Sequence, residues 1–434
     1  MPIRRLLLEN YRAFSKRQEI ELAPVTVVLG KNNSGKSALT RAPLVIATGF
    51  DTESTSPLDL SRLGSDAVDD LRELYFDQNI IRPMVLGLSV DNAFTLRADL
   101  DYVAGQHRAI VRVLRIELPG RSAELVSTRL LAERVATPDI EGVALSPARQ
   151  PRPGETEEYE IRVTGSPSRI LRVPFRGLLP IPGAAPELAD FLDVRPGPIR
   201  YLGPYRERVA RQHRLPIGTP AELGARGEGL PGLLAESEVR TDGDLLHLIN
   251  DKLDRIVPGW RLAERQNGFL WSTVLVREDL RAPVNLADAG SGLAQVLPIL
   301  AQCAMDEKEG ASTRPLQIIE EPEAHLHPAA HAELADLYLR TAQETGTRFL
   351  IETHSETLLL RLRRRIAELD NEFGPETVAI YVVEQRDGVS SARKVELDSL
   401  GNLADNWPHG YFSQDYHEVR ELARAQSRRS DHVA

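Results

Sequence analysis

The sequence predicts an α/β fold, and three observations carry that prediction. The apolar run Val25-Thr26-Val27-Val28-Leu29 passes through Gly30-Lys31-Asn32-Asn33-Ser34-Gly35-Lys36-Ser37 into Ala38-Leu39-Thr40. Strand, glycine loop and helix start, in that order, make a phosphate-binding loop. Two further apolar strands, around Leu316–Ile319 and Arg348–Ile351, each run into polar residues suited to chemistry. Between these stretches, short alternating runs read as an antiparallel meander.

Gly30 and Gly35 let the backbone approach phosphate oxygens in conformations a side chain forbids. The amides of Lys31, Asn32, Asn33, Ser34 and the following helix start point at the anion, where the helix dipole also favours negative charge. Lys36 is expected to neutralise the β- and γ-phosphates of ATP, and Ser37 to hold Mg²⁺.

The chain has 434 residues, enough for two or three domains. It is 42% hydrophobic and 27% charged, with a net charge of −10. No global basic field draws it to nucleic acid or to an anionic membrane, so any such contact must be local. A single cysteine, Cys303, excludes an internal disulfide and suits a reducing compartment. The N-terminal apolar run is too short for a signal peptide, and no run reaches the roughly 18 apolar residues of a membrane span. A cytoplasmic, soluble protein is expected.

In chain order, Ile3–Leu8 and Gln18–Leu22 read as strands that feed the loop strand in an N-terminal lobe. Residues 51–69 read as a surface loop. Val85–Val90, Phe94–Leu100 and Ala109–Ile116 read as the meander. Pro138–Glu157 reads as an irregular connection, followed by strands near Tyr159–Val163 and Ile170–Val173. Asp244–Ile256 has its apolar residues on one helix face. No repeat or sustained heptad is present, so no long coiled coil is expected.

Gly290-Ser291-Gly292 precedes the apolar run Val296–Leu300. It is either a second anion site at a helix N-terminus or a plain helix cap. Glu320 and Glu321 end an apolar strand, a Walker-B arrangement. Glu320 is expected to hold Mg²⁺ through water and Glu321 to orient and deprotonate the attacking water. His354 ends the next strand. Alone it is a structural histidine; after the other three stations it reads as a γ-phosphate sensor. His325 and His327 lack a third ligand and read as a polar loop.

Phosphate loop, Gly-Ser-Gly, Glu-Glu and His in this order resemble ABC-type ATPase heads of the SMC, RecF and OLD-like branch. The string Ile319-Glu320-Glu321-Pro322-Glu323-Ala324-His325-Leu326-His327-Pro328 is specific for the OLD-like branch, and Trp407–Phe412 resembles a C-terminal domain of unassigned function that often ends such ATPases. The resemblance implies a P-loop NTPase fold of ABC-ATPase type: a mixed sheet core, an antiparallel β subdomain and a helical signature lobe. It divides the chain into an N-terminal ATPase lobe (1–78), a β-rich subdomain (79–200), a helical arm or lobe (201–284), a C-terminal ATPase lobe (285–390) and a tail (391–434). It implies a head-to-tail homodimer in which Gly290, Ser291 and Gly292 complete the partner's ATP site, and it makes Gln78 the Q-loop glutamine at the metal. Glu320 stands in place of the transporter-type Asp, and Gly-Ser-Gly-Leu-Ala-Gln in place of Leu-Ser-Gly-Gly-Gln. Both depart from the transporter pattern.

The expected function is an ATPase switch that dimerises on ATP and acts on a partner protein, for example a nuclease, or on DNA, in DNA maintenance or defence. A RecF-like DNA clamp is the alternative, and a transporter subunit ranks below both. The Asp-x-Asp of the meander, Asp99-Leu100-Asp101, reads as an exposed strand face, so no intrinsic nuclease is expected. The basic run Arg361-Leu362-Arg363-Arg364-Arg365 is either a DNA contact or a solvated helix face.

Overall fold

The computed structural model describes residues 2–434 except 64–67, 69, 105–106, 129–156, 216, 219–221, 280, 369–371, 405–406, 408–419 and 421–434. The expected irregular connection at 138–157 therefore lies outside the described residues apart from Glu157, as does most of the Trp407–Phe412 string.

The loop strand β3, Val25–Gly30, is buried along its whole length. It lies in a six-stranded sheet whose order is β12 (Ile199–Leu202), β17 (Leu316–Glu320), β18 (Arg348–Glu352), β3, β19 (Val378–Arg386) and β20 (Val389–Val395). The first five are parallel, and β20 returns as an antiparallel hairpin. Parallel strands covered on both faces read as near-continuous apolar runs, and β3, β17 and β18 do, broken inside only by Thr26 and Gln317. Alternate residues of β3 serve two cores: Val28 joins one, and Val25, Val27 and Leu29 join the other.

The first core packs the sheet, with α1 (Lys36–Thr40) and α2 (Ala42–Ala47), against an eight-stranded antiparallel sheet. That sheet runs β2 (Gln18–Glu21), β1 (Ile3–Glu9), β4 (Met84–Val90), β5 (Phe94–Val103), β6 (Arg108–Leu118), β7 (Arg121–Ser127), β8 (Glu158–Val163) and β9 (Arg169–Arg172). β1 and β2 lead into β3 along the chain but lie in this second sheet, where β1 pairs with β4, with Leu6 opposite Leu88 and Leu8 opposite Leu86. The apolar face of β1 is completed by the meander, so the N-terminus belongs to the β subdomain's sheet. Asp99 and Asp101 are ion-paired to Arg97 and Arg112, at 2.8 and 3.3 Å.

The second core packs the sheet's other face against helices. After a short α3 (Ala189–Leu192) come α4 (Leu230–Thr241), α5 (Asp244–Ile256), α6 (Ser291–Glu309), α7 (Pro328–Thr345) and α8 (Glu356–Ala367). Residues 201–284 hold more than helix. A hairpin, β14 (Arg261–Asn267) and β15 (Leu270–Val276), pairs with β13 (His213–Arg214) and β16 (Val284–Asn285). Its outer strand buries only Leu262, so it carries almost no alternation to read. Cys303 is buried in α6, and burial pushes its thiol pKa up to about 12. Among the described residues no helix is long and apolar enough to cross a membrane.

A buried polar knot ties α6 to the sheet. Arg200 on β12 pairs with Asp306, and with Glu309 at 2.6 Å. Gln317 and Thr347 donate to the same Asp306 carboxylate at 2.5 and 2.8 Å. Removing one partner leaves buried charge uncompensated. Asp306→Ala is therefore expected to cost about 3–5 kcal/mol, read as a lower urea midpoint. An unchanged midpoint would contradict this role for the knot.

Candidate functional site

The loop after β3 is built round its glycines. A Cβ on Gly30 would stand 2.5 Å from Ser34 Oγ and 2.7 Å from the Val383 carbonyl. Gly35 has φ +99° and precedes α1, where a Cβ would also press on Ala13 and Ser390. Lys36 is buried, and its Nζ donates to the Lys31 carbonyl at 3.1 Å. The lysine thus curls back over the loop, where a phosphate would sit.

Strand order brings the acids to this loop. β18 lies between β3 and β17, and Glu320 and Glu352 are register partners at the ends of neighbouring strands. Both are buried. Glu320, expected at the metal, is held instead by Arg41, whose Nε and Nη2 each donate to a carboxylate oxygen at 2.6 Å. The Arg41 guanidinium also stands 5.6 Å over the Tyr201 ring. The acid that reaches Ser37 is Glu352. It accepts from Ser37 Oγ at 3.1 Å and Thr40 Oγ1 at 3.3 Å, with Lys36 Nζ 3.7 Å away. Burial, then the neighbouring Glu320 charge, raises the Glu352 pKa against Ser37, Lys36 and Thr40.

Glu321 follows directly and adopts φ +44°. A left-handed non-glycine residue before proline is strained, and such strain collects at functional sites. Its amide still donates to the Glu352 carbonyl at 2.8 Å, so it is anchored to the sheet. His354 is exposed, and its backbone amide donates to Glu323 at 2.6 Å. Desolvation, then the Lys36 charge, pushes its imidazole pKa down, against Glu323 and Glu321. The ring is therefore neutral at neutral pH and able to donate or accept one hydrogen bond. Lys36, Glu321 and His354 thus share one electrostatic neighbourhood.

Sequence reasoning missed two more groups here. Arg206 is buried; its Nη2 donates to the Glu320 carbonyl at 2.9 Å. Its Nε and Nη1 have no partner among the described residues, and desolvation lowers its pKa. His331 joins Ser355, beyond the His354 strand, to the Leu326 carbonyl, at 2.9 and 3.2 Å. Neither carries a local motif; only the fold brings them in.

Gly290 and Ser291 are exposed at the start of the 19-residue α6, and no side chain caps that helix. Gly292 backs onto its own chain, where a Cβ would stand 2.4 Å from the His325 carbonyl. His327 caps α7, its Nδ1 accepting from the Ala329 amide at 3.2 Å. Gln78 is exposed on the turn after Tyr75, and its side chain makes no hydrogen bond among the described residues. The basic run is committed. Arg361 and Arg365 pair with Asp336, Arg364 with Glu368, and Arg363 donates to the Gly401 carbonyl.

The residues fit a magnesium nucleotide. The donors are hard oxygens, Ser37 and buried carboxylates, beside a glycine loop with a buried lysine, and Ser34 Oγ is buried without a partner among the described residues.

Residues 152–361 match the family described as "AAA domain, putative AbiEii toxin, Type IV TA system", residues 1–70 the "AAA ATPase domain", and residues 374–422 the "Protein of unknown function (DUF3696)". No curated protein matches the chain. Among solved structures, the SMC head domain from Thermotoga maritima is 14% identical, with TM-score 0.41, over 92% of this chain and 100% of that one. An SMC head bound to the C-winged helix domain of ScpA is 14% identical, with TM-score 0.45, over 92% and 98%. An SMC head with an extended coiled coil, bound to the C-terminal domain of ScpA derived from Pyrococcus furiosus, is 12% identical, with TM-score 0.45, over 91% and 96%.

A phosphate cradled by this loop would meet Lys36 already in the ground state, so Lys36→Ala is expected to weaken nucleotide binding by about tenfold or more, the scale of one charge-assisted hydrogen bond. Calorimetry checks it. Unchanged affinity in a folded variant would refute this role for the lysine.

Proposed function

We propose, from the AAA-family ATPase domains this chain carries and its P-loop fold of ABC type, that it is an ATP-binding and ATP-hydrolysing molecular switch of the OLD/SMC-like class. Two copies close round ATP and reopen on hydrolysis, and the change is passed to a partner protein or to DNA. DNA maintenance or defence against foreign DNA is the proposed setting; the toxin–antitoxin wording of the matched family supports defence.

The observation that carries this reading is Glu321, strained at φ +44° directly after a buried strand and within the same charge neighbourhood as Lys36 and His354. In the proposed cycle Lys36 and the loop amides hold the β- and γ-phosphates. Ser37 and a carboxylate at the strand ends would hold Mg²⁺, which would supply positive charge against that growing on the phosphates. Glu321 takes a proton from the attacking water, and neutral His354 senses the γ-phosphate. Gly290, Ser291 and Gly292 supply helix-terminal amides to the partner's γ-phosphate. The exposure of Gly290 and Ser291 supports action between subunits. A DNA clamp has less support, because the arginines of the basic run are already engaged.

Glu321→Gln removes the base and leaves the shape of the site. Turnover is expected to fall about 10²-fold or more, with ATP still bound and dimers accumulating. Hydrolysis at the wild-type rate would show that Glu321 is not the base.

Ser291→Arg should clash with the partner's phosphate, abolishing turnover with nucleotide binding at Lys36 retained. Mixed with Lys36→Ala, it should recover part of the activity, since one composite site then keeps a sound loop and a sound serine. Full turnover by Ser291→Arg alone would contradict the shared site.

A further inference from the structure

Arg206 is buried between two exposed neighbours, Tyr205 and Glu207. It comes shortly after β12, the strand that flanks β17 on the side away from β18. Its backbone stands on a fixed base. The amides of Gly203 and Glu207 donate to the Ala225 and Arg226 carbonyls, each at 2.8 Å, and its own carbonyl accepts from Gln295 of α6 at 3.4 Å. From that base the guanidinium turns inward, and Nη2 donates to the Glu320 carbonyl at 2.9 Å.

That carbonyl belongs to the peptide group joining Glu320 to Glu321. The group is planar, and in the trans form its C=O and N–H point opposite ways. The N–H is the Glu321 amide, which donates to the Glu352 carbonyl of β18 at 2.8 Å. On the other side the last register pair of β12 and β17 is Leu202 with Ile319, so β12 has run out where the Glu320 carbonyl needs a donor. Arg206 supplies that donor from a side chain. The peptide plane is thus pinned from both sides, by β18 and by Arg206.

The next residue makes the pin matter. Glu321 holds φ +44° immediately before Pro322, a conformation that persists only where the surroundings over-determine it. That φ is rotation about the bond leaving this same peptide nitrogen. With one pin withdrawn the plane can turn, the strain relaxes and the carboxylate moves with it. The cost of Arg206 argues the same way. The buried Arg200 is closed on two carboxylates, whereas Arg206 joins no ion pair among the described residues. Its Nε and Nη1 are buried without a partner there, as are Glu323 Oε2 and Tyr338 Oη. A buried cation left with a single hydrogen bond is expensive, and packing alone gives no reason to keep it.

We propose that Arg206 is a positioning residue for Glu321: by holding the Glu320 carbonyl it keeps the strained turn that sets where the Glu321 carboxylate stands. The assignment rests on the reading of Glu321 as the base. Through Gln295 the same arginine also ties that turn to α6, the helix whose first residues are proposed to serve the partner's ATP.

The test is steady-state ATP hydrolysis by the full chain, together with equilibrium binding of a fluorescent ATP analogue and circular dichroism to check folding. Arg206→Met keeps the bulk of the side chain and removes the donor. Its kcat should fall about 10²-fold, the scale of a misplaced catalytic group, with analogue affinity within about threefold of wild type. Arg206→Lys keeps the charge and one donor, which is all a single carbonyl needs, so its kcat should stay within about tenfold of wild type. In the Glu321→Gln background, adding Arg206→Met should cost less than about threefold more, because the group it positions is already gone. A kcat that falls less than about tenfold in folded Arg206→Met, or analogue binding lost in step with turnover, overturns the assignment. So does an undiminished further loss in the Glu321→Gln background, or a folded Arg206→Lys as slow as Arg206→Met. Should Arg206→Met fail to fold, Arg206→Gln is read by the same limits. If Glu321→Gln itself turns over at the wild-type rate, the reading of Glu321 as the base fails, and the assignment falls with it; if Glu321→Gln is slow and Arg206→Met is not, the assignment alone fails.

Discussion

Two buried carboxylates on neighbouring strand ends are the constraint round which this site is arranged. Glu320 and Glu352 face each other in register, away from water. Two such charges side by side are costly unless each is compensated. Both compensating cations come from one short stretch of chain, Lys36 and Arg41, at either end of α1. The left-handed Gly35 sets the direction in which that helix leaves the loop. Loop, helix and two strands are therefore locked by charge as well as by packing. The same pairings explain why α1 can be only five residues long and still hold its place.

The sheet order gives this constraint its functional meaning. Because β18 separates β3 from β17, the acid nearest the loop serine comes from β18 and the strained Glu321 comes from the end of β17. Glu321 is then tied back to β18 through the Glu352 carbonyl. His354, two residues beyond Glu352, feels the Lys36 charge and, against it, those of Glu323 and Glu321. His331 and Glu323 link the segment after Glu321 to the segment round His354. In the proposed cycle, a change at the phosphates would have a short, bonded route to both segments.

Much of this was legible in the sequence, for physical reasons that differ between elements. The loop was legible because glycine spacing and the lysine-serine pair leave few other uses for that pattern. Strands β3, β17 and β18 were legible because burial on both faces favours near-continuous apolar runs. The sheet membership of β1 was not, since an alternating strand says which face is buried but not which neighbour covers it. The hairpin of β14 and β15 was not, because its outer strand buries almost nothing. At the site, Glu320 read as the metal acid from its place in a motif, and only the fold reveals Arg41 closed on it. Glu352 and Arg206 carry no local signal at all; strand order and burial bring them in. Gln78, which the resemblance makes the Q-loop glutamine, stands exposed, and its side chain makes no hydrogen bond among the described residues.

The central claim is that hydrolysis belongs to a pair of chains joined through ATP. The measurement that tests it most directly is the specific ATPase activity of the wild-type chain across a wide range of protein concentration, with light scattering at each point. The account predicts that activity per chain rises with concentration and levels off where ATP-bound dimers predominate. Activity per chain that stays constant down to concentrations where only monomer is present with ATP would contradict it.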